Sequence, residues 1–249
     1  MSTNLAAISL KRLFKKEAAV QTPLGQRPVA NRSSLFKQYH CLNTLPPETL
    51  ADLLSFAEQR RFLDFCPELN NKRILFFSRR ATTPLLANIP TDHVEIMANY
   101  QLGDAPVSNQ LNVFNLRGTL KPLPFRFGYF DLLLIPFGSS LNNEVLDHIS
   151  AMAGLLKNGG RAIISVLHPT LEIFLTNQNP ASKGRAVSSV QAYFTAFRDQ
   201  NLYLETLSEE AINRENKTFF AAGPGREVTD DILGIPLVLF MRVVKYVKT

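Results

Sequence analysis

Two runs of branched apolar residues, Tyr129-Phe130-Asp131-Leu132-Leu133-Leu134-Ile135 and Arg161-Ala162-Ile163-Ile164-Ser165-Val166-Leu167, constrain the fold more than any other feature of this chain. Each is bounded by turn residues and reads as a buried strand. Between them Val145, Leu146, Ile149, Ala153 and Leu156 follow the stripe of a helix packed on a sheet. Asn142 is its expected N-cap, Glu144 lies in the first turn, and Gly159 is the expected left-handed exit. Two strands joined by such a helix form a βαβ unit with a parallel pair, and the chemistry of such sheets sits at the strands' carboxyl ends.

The flanking sequence extends the pattern in both directions. Pro46 and Pro47 introduce a helix with Leu50, Leu53, Leu54 and Ala57 on one face, ending before Pro67. Asn70 and Asn71 turn the chain into a first strand, Arg73 to Phe77. A helical piece over 83–88, a second strand over 93–98 and a third over 111–116 follow. After the fifth strand Ser188 and Gln191 predict a capping box for a helix whose Val190, Phe194 and Phe197 face the sheet. Residues 202–207 and 235–247 are expected as two further strands, antiparallel at one edge. The chain is therefore expected to form an α/β, doubly wound, mostly parallel seven-stranded sheet with a C-terminal antiparallel strand pair.

Charge divides the chain more sharply than its total of +6 conveys. Residues 1–40 hold Lys11, Arg12, Lys15, Lys16, Arg27, Arg32 and Lys37 against one acid, Glu17, so this arm carries the whole net charge. Residues 41–249 are formally neutral, and the expected organisation is a basic N-terminal arm and linker (1–40) before one α/β domain (41–249). Within the arm Ala6, Leu10, Leu13 and Phe14 fall near one helical face, and residues 21–35 read as a linker. A solvated tail, an organelle-targeting peptide, and a contact for nucleic acid, a protein partner or an anionic membrane all fit this composition. The first implies a cytoplasmic protein, the second an organelle matrix. No run of about 18 apolar residues exists to span a bilayer. Cys41 and Cys66 match no metal-ligand spacing, and neither do His40, His93 and His148, so no metal is expected.

Two motifs carry a family resemblance. Gly118 through Phe125, followed by Phe130-Asp131, has the spacing of a G-D-x-x-x-L-P-F…F-D segment, and Leu155 through Arg161 is close to L-L-K-P-G-G-R. With a His168-Pro169 pair after the fifth strand, residues 45–249 resemble the class I S-adenosylmethionine-dependent methyltransferases, closest to the small-molecule branch called type 11. The resemblance implies S-adenosylmethionine as cofactor, an acid and a G-x-G-x-G loop at the end of the first strand, and further acids after the second and third. In this chain Phe76 occupies the first acidic position, and Ser78, Arg80 and Thr82 fall where the glycines would be. Ala98 or Asn99 stands at the ribose position and Thr119 at the adenine position.

Each such loss removes a charge-assisted hydrogen bond or adds bulk against the ligand. The first reading is therefore a methyltransferase-like protein with lost or weakened cofactor binding, acting as a binding or assembly factor. The second is an active methyltransferase with a divergent pocket and a small-molecule or carrier-bound substrate, with His168 as general base and Ser139 and Ser140 lining the substrate pocket. A third places a nucleotide or phosphate on Arg79 and Arg80. Glu209, Glu210 and Glu215 are expected as a solvated face.

Overall fold

The computed structural model describes residues 39, 42, 45–66, 68–78, 94–102, 113–118, 124–137, 145–178, 189–220 and 232–246. The chain divides into Met1–Lys37 and Gln38–Thr249, and the described residues belong to the second unit. The arm and linker, the expected helix over 83–88 and the Asn142 cap lie outside the described residues.

In chain order the elements are α1 (Pro47–Phe62), β1 (Arg73–Ser78), β2 (Ile96–Leu102), β3 (Val113–Gly118), β4 (Phe130–Phe137) and α2 (Val145–Leu155). They continue with β5 (Leu156–Leu167), α3 (Pro169–Gln178), α4 (Val190–Asp199), β6 (Leu202–Ala211) and β7 (Pro236–Lys245). The seven strands form one sheet in the order β3-β2-β1-β4-β5-β7-β6. Strands β1 to β5 are mutually parallel where they pair, and β7 lies antiparallel between β5 and β6. This is the doubly wound sheet with a C-terminal antiparallel pair that the sequence predicts.

Alternation along the strands builds two apolar layers, one on each face. Ile74, Phe76, Leu132, Leu134, Ile163 and Phe240 pack with Leu53, Leu54, Ala57 and Phe62 of α1 and with Leu171 and Phe174 of α3. Leu75, Phe77, Leu133, Ile135, Ile164 and Met241 pack with α2 and α4 on the other side. Both faces of β1, β4 and β5 are covered, which is why these strands read as continuous apolar runs rather than as alternating ones.

Several boundaries differ from expectation. β2 and β3 begin later than 93 and 111 and run on to Leu102 and Gly118. Helix α2 ends at Leu155 and β5 starts at once, with Phe130 opposite Leu156 but Leu132 opposite Arg161. Residues 157–160 therefore bulge out opposite Asp131 alone. Gly159 has φ of +75°, but it shapes this bulge and does not terminate the helix. A Cβ on Gly160 would sit 2.9 Å from the Lys157 carbonyl oxygen, so the bulge requires glycine there as well. Helix α4 is capped one residue later than expected, by Ser189, whose Oγ accepts the Ala192 N–H at 3.1 Å. Tyr193 and Phe197 face inward, and Phe194 is 38% exposed. Asn71, with φ of +55°, makes the turn into β1.

The end of α2 is closed from β7. Lys245 Nζ donates to the carbonyl oxygens of Ala153 at 2.7 Å and Leu156 at 2.8 Å, a cation placed at the helix C-terminus. Lys245→Met is expected to lower stability by about 1–2 kcal/mol, read as a lower urea midpoint with unchanged slope. A midpoint equal to wild type would mean that water replaces the ammonium at no cost.

Candidate functional site

The parallel strands direct their carboxyl ends to one side of the sheet, where an α/β fold places its ligands. The first three strands arrive there without a carboxylate. Their sequences are Arg-Ile-Leu-Phe-Phe-Ser, Ile-Met-Ala-Asn-Tyr-Gln-Leu and Val-Phe-Asn-Leu-Arg-Gly. Phe76 and Phe77 are both 0% exposed and belong to opposite apolar layers, so the end of β1 is core rather than cleft. Ser78 is the last residue of β1 and pairs with Gln101. Asn99 stands level with Phe76 on one side and Asn115 on the other, with three more residues of β2 beyond it. Arg79, Arg80, Thr82, Thr119, Ser139 and Ser140 lie outside the described residues.

His168 is the fully described candidate, and β5 delivers it to the carboxyl end. Its backbone N–H donates to the Leu237 carbonyl at 2.9 Å, and its own carbonyl accepts from Glu172 at 2.9 Å as α3 begins. The ring Nδ1 accepts the Thr170 N–H at 3.3 Å. In the neutral ring the proton then resides on Nε2, which faces Glu209 Oε1 at 3.2 Å. Glu209 arrives from β6, across the intervening β7, so no local spacing could have revealed it as the partner. Tyr39 closes the cluster: it is 4% exposed, packs on Phe174 with centroids 5.3 Å apart, and is hydrogen-bonded to the Thr170 side chain. Burial pushes its phenol up to about 12, so Tyr39 stays protonated at neutral pH. This arrangement fixes the imidazole plane and leaves Nε2 as the nitrogen able to exchange a proton.

The other acids expected on a solvated face are engaged too. Glu210 accepts from Asn213 Nδ2 at 3.0 Å, and its pKa is raised by burial despite nearby Arg60 and Arg61. Glu215 pairs with Arg60.

A second polar contact, buried in the α1 layer, was not anticipated. Glu58 of α1 is 3% exposed and accepts from Ser165 Oγ of β5, itself 0% exposed. Sequence does hold the signal: Glu58 lies four residues after Leu54 and four before Phe62 on the buried stripe, and Ser165 interrupts a strand that is covered on both faces. Buried polar groups of this kind need each other.

Asp131, in the Phe-Asp pair of the resemblance, sits at the opposite, amino end of the strands. It accepts the Arg73 N–H at 3.0 Å and pairs with Lys157 of the bulge, while the Arg73 guanidinium lies 4.8 Å from the Tyr129 ring centroid. Its role is to pin β1, β4 and β5 together, far from any carboxyl-end chemistry. Among the described residues no three His, Cys, Asp or Glu side chains cluster as metal ligands. Burial pushes the Cys66 thiol up to about 12, which leaves it unreactive at neutral pH.

No model of a known protein family matches the sequence, and no curated protein does. Solved structures do match the fold. One is an S-adenosylmethionine-dependent methyltransferase from Mesorhizobium loti, at 16% identity and TM-score 0.55, covering 76% of this chain and 98% of that one. Another comes from the complex between the Haloferax volcanii Trm112 methyltransferase activator and a methyltransferase, at 15% identity and TM-score 0.56, covering 86% and 99%. A third is the [4+2]-cyclase SpnF, at 12% identity and TM-score 0.50, covering 76% and 80%. The chain has the fold of the class I S-adenosylmethionine-dependent methyltransferases.

Proposed function

We propose that this chain is a methyltransferase-fold protein that has lost or greatly weakened S-adenosylmethionine binding and acts as a non-catalytic binding or assembly factor. The observation that carries the reading is Phe76. At the position where the resembled family places an acid, the ring is 0% exposed and is held in the apolar layer beneath α1. The described residues of strands β1, β2 and β3 include no carboxylate. The described strand residues do not offer the cofactor its usual acidic contacts. Loss of two charge-assisted contacts at ~1.5–3 kcal/mol each lowers affinity by roughly two to four orders of magnitude.

The fold by itself permits such a role. Among the neighbours, one comes from a complex between a methyltransferase and its activator and another is a cyclase, which supports a scaffold that can take a protein partner and serve reactions other than methyl transfer. The basic arm, residues 1–40, is the proposed handle for a protein, nucleic-acid or membrane partner. No helix among the described residues is long and apolar enough to cross a membrane.

Thermal melts test the reading. A true ligand at a hundredfold excess over its dissociation constant adds about 2.7 kcal/mol, a shift of several degrees for a chain of this size. With millimolar S-adenosylmethionine no shift is expected; a shift of that size would reject the proposal.

One observation favours a second reading, an active methyltransferase with a divergent pocket. Asn99 stands level with Phe76 in the ladder, where an amide can replace an acid toward the ribose hydroxyls. In that case His168→Ala, or a bulky residue at Ser139, abolishes methyl transfer.

A further inference from the structure

The bulge at the start of β5 carries chemistry of its own. The resembled motif L-L-K-P-G-G-R has proline before its two glycines, and this chain has Asn158 there. It is the only asparagine among the 249 residues that precedes a glycine. An asparagine side chain reaches the main-chain nitrogen that follows it, and a glycine in that position lacks the side chain that would shield the nitrogen.

The fold leaves this pair accessible. Asn158 and Gly159 are both exposed. Phe130 pairs with Leu156 and Leu132 with Arg161, so residues 157–160 stand outside the β4–β5 ladder and the Gly159 N–H takes no part in it. A Cβ built on Gly159, whose φ is +75°, would meet no atom within 4 Å, which gives water room beside the pair. Both residues border a polar hollow of about 380 Å³ that Glu68, Lys72, Asp131 and Lys157 also line.

We propose that Asn158-Gly159 is a site of spontaneous deamidation, and that its conversion loosens the tie between Lys157 and Asp131. The Gly159 nitrogen gives up its proton and attacks Cγ of Asn158. The bond from Cγ to the side-chain nitrogen breaks, and that nitrogen leaves with a proton as ammonia, closing a succinimide ring over the two residues. Water then opens the ring at either carbonyl. Attack at Cγ yields aspartate with the main chain restored; attack at the main-chain carbonyl yields isoaspartate, whose main chain is longer by one methylene. The net reaction consumes one water, releases one ammonia and needs no oxidant or reductant.

Either product sets a new carboxylate next to Lys157, which pairs with Asp131 in the unmodified chain. The new acid competes for that ammonium. Isoaspartate also lengthens a tightly seated backbone, since a Cβ on Gly160 would lie 2.9 Å from the Lys157 carbonyl oxygen and 3.2 Å from that of Asp131. The inference goes beyond the function proposed above and does not depend on cofactor loss.

The test is incubation of the full chain in mildly alkaline buffer made with heavy-oxygen water, followed by peptide mapping with tandem mass spectrometry. Labelled oxygen is expected at position 158 as both aspartate and isoaspartate, at a rate within roughly tenfold of that in a free peptide spanning residues 155–161, because an exposed segment outside the ladder needs no global opening. Asn158→Gln, whose longer side chain closes a ring less readily, is expected to abolish the label. Converted protein and Asn158→Asp, which adds the charge without lengthening the main chain, are both expected to unfold at a lower urea midpoint than fresh wild type, with the isoaspartate fraction lowest. An intact Asn158 after the free peptide has converted would overturn the site. Unchanged midpoints in the converted chain and in Asn158→Asp would overturn its consequence for Lys157.

Discussion

Phe76→Asp is expected to leave the protein largely unfolded at room temperature. The substitution restores the residue type that the resembled family carries at the end of its first strand, so it asks directly whether that position is cleft or core. Here the ring is fully buried among Leu134, Ile163 and the α1 layer. Removing a buried phenylalanine costs about 3–5 kcal/mol, and burying an unpaired carboxylate in its place adds several more. Domains of ordinary size hold only about 5–15 kcal/mol in total, so this single change can exhaust the margin. Far-UV circular dichroism with urea titration would show loss of the cooperative transition. A folded variant whose midpoint matches wild type would mean that the end of β1 opens to solvent and can accept an acid after all.

Asp131→Ala is expected to cost about 2–3 kcal/mol near neutral pH. The carboxylate accepts the Arg73 N–H at 3.0 Å and pairs with Lys157, and its side chain is only 17% exposed. Lys157 is more open to solvent, so its share is screened and the part-buried backbone amide supplies the larger part. Burial alone would raise the pKa of Asp131. Hydrogen bonds from Lys157 and the Arg73 amide, with the charges of Lys157 and Lys72, outweigh burial and hold it below the usual value. A depressed folded pKa gives stability that is present above the unfolded value of about 4 and is lost as pH falls through the folded one. The gap between wild type and Asp131→Ala should therefore be widest above about pH 5 and narrow toward acid. A gap that stays constant with pH would show that Asp131 contributes shape rather than charge.

Sequence made the β4-α2-β5 unit legible because its strands are buried on both faces and the helix between them keeps one stripe. The same logic blurs for β2 and β3, short runs in which Asn99, Gln101, Asn115 and Arg117 interrupt the apolar pattern, and their ends shifted accordingly. Helix α3 is hard to see in the sequence because His168-Pro169 also fits a strand-end motif. A proline at the first position of a helix fits equally well, since its missing N–H is one that a helix leaves unpaired. The α4 stripe shifted because two adjacent serines compete for the cap, and choosing Ser189 turns Tyr193 rather than Phe194 inward. Contacts that depend on strand order were beyond any local pattern. His168 meets Glu209 only because β7 inserts between β5 and β6, so the strand that follows α4 lies one strand away from β5. The Glu58–Ser165 contact was within reach, since a polar residue on each of two buried stripes requires a partner. At the cofactor positions sequence was informative through substitution: Phe76 stands at an acidic position, and structure gives that substitution a physical meaning as core packing.

Loss of the cofactor site is measured most directly by calorimetric titration of the full chain with S-adenosylhomocysteine, the product form of the cofactor and free of transfer chemistry. The burial of Phe76 and the lack of a carboxylate among the described residues of β1, β2 and β3 predict no saturable heat into the high micromolar range. A one-site isotherm with micromolar or tighter affinity would contradict it, and would return the chain to the active methyltransferases.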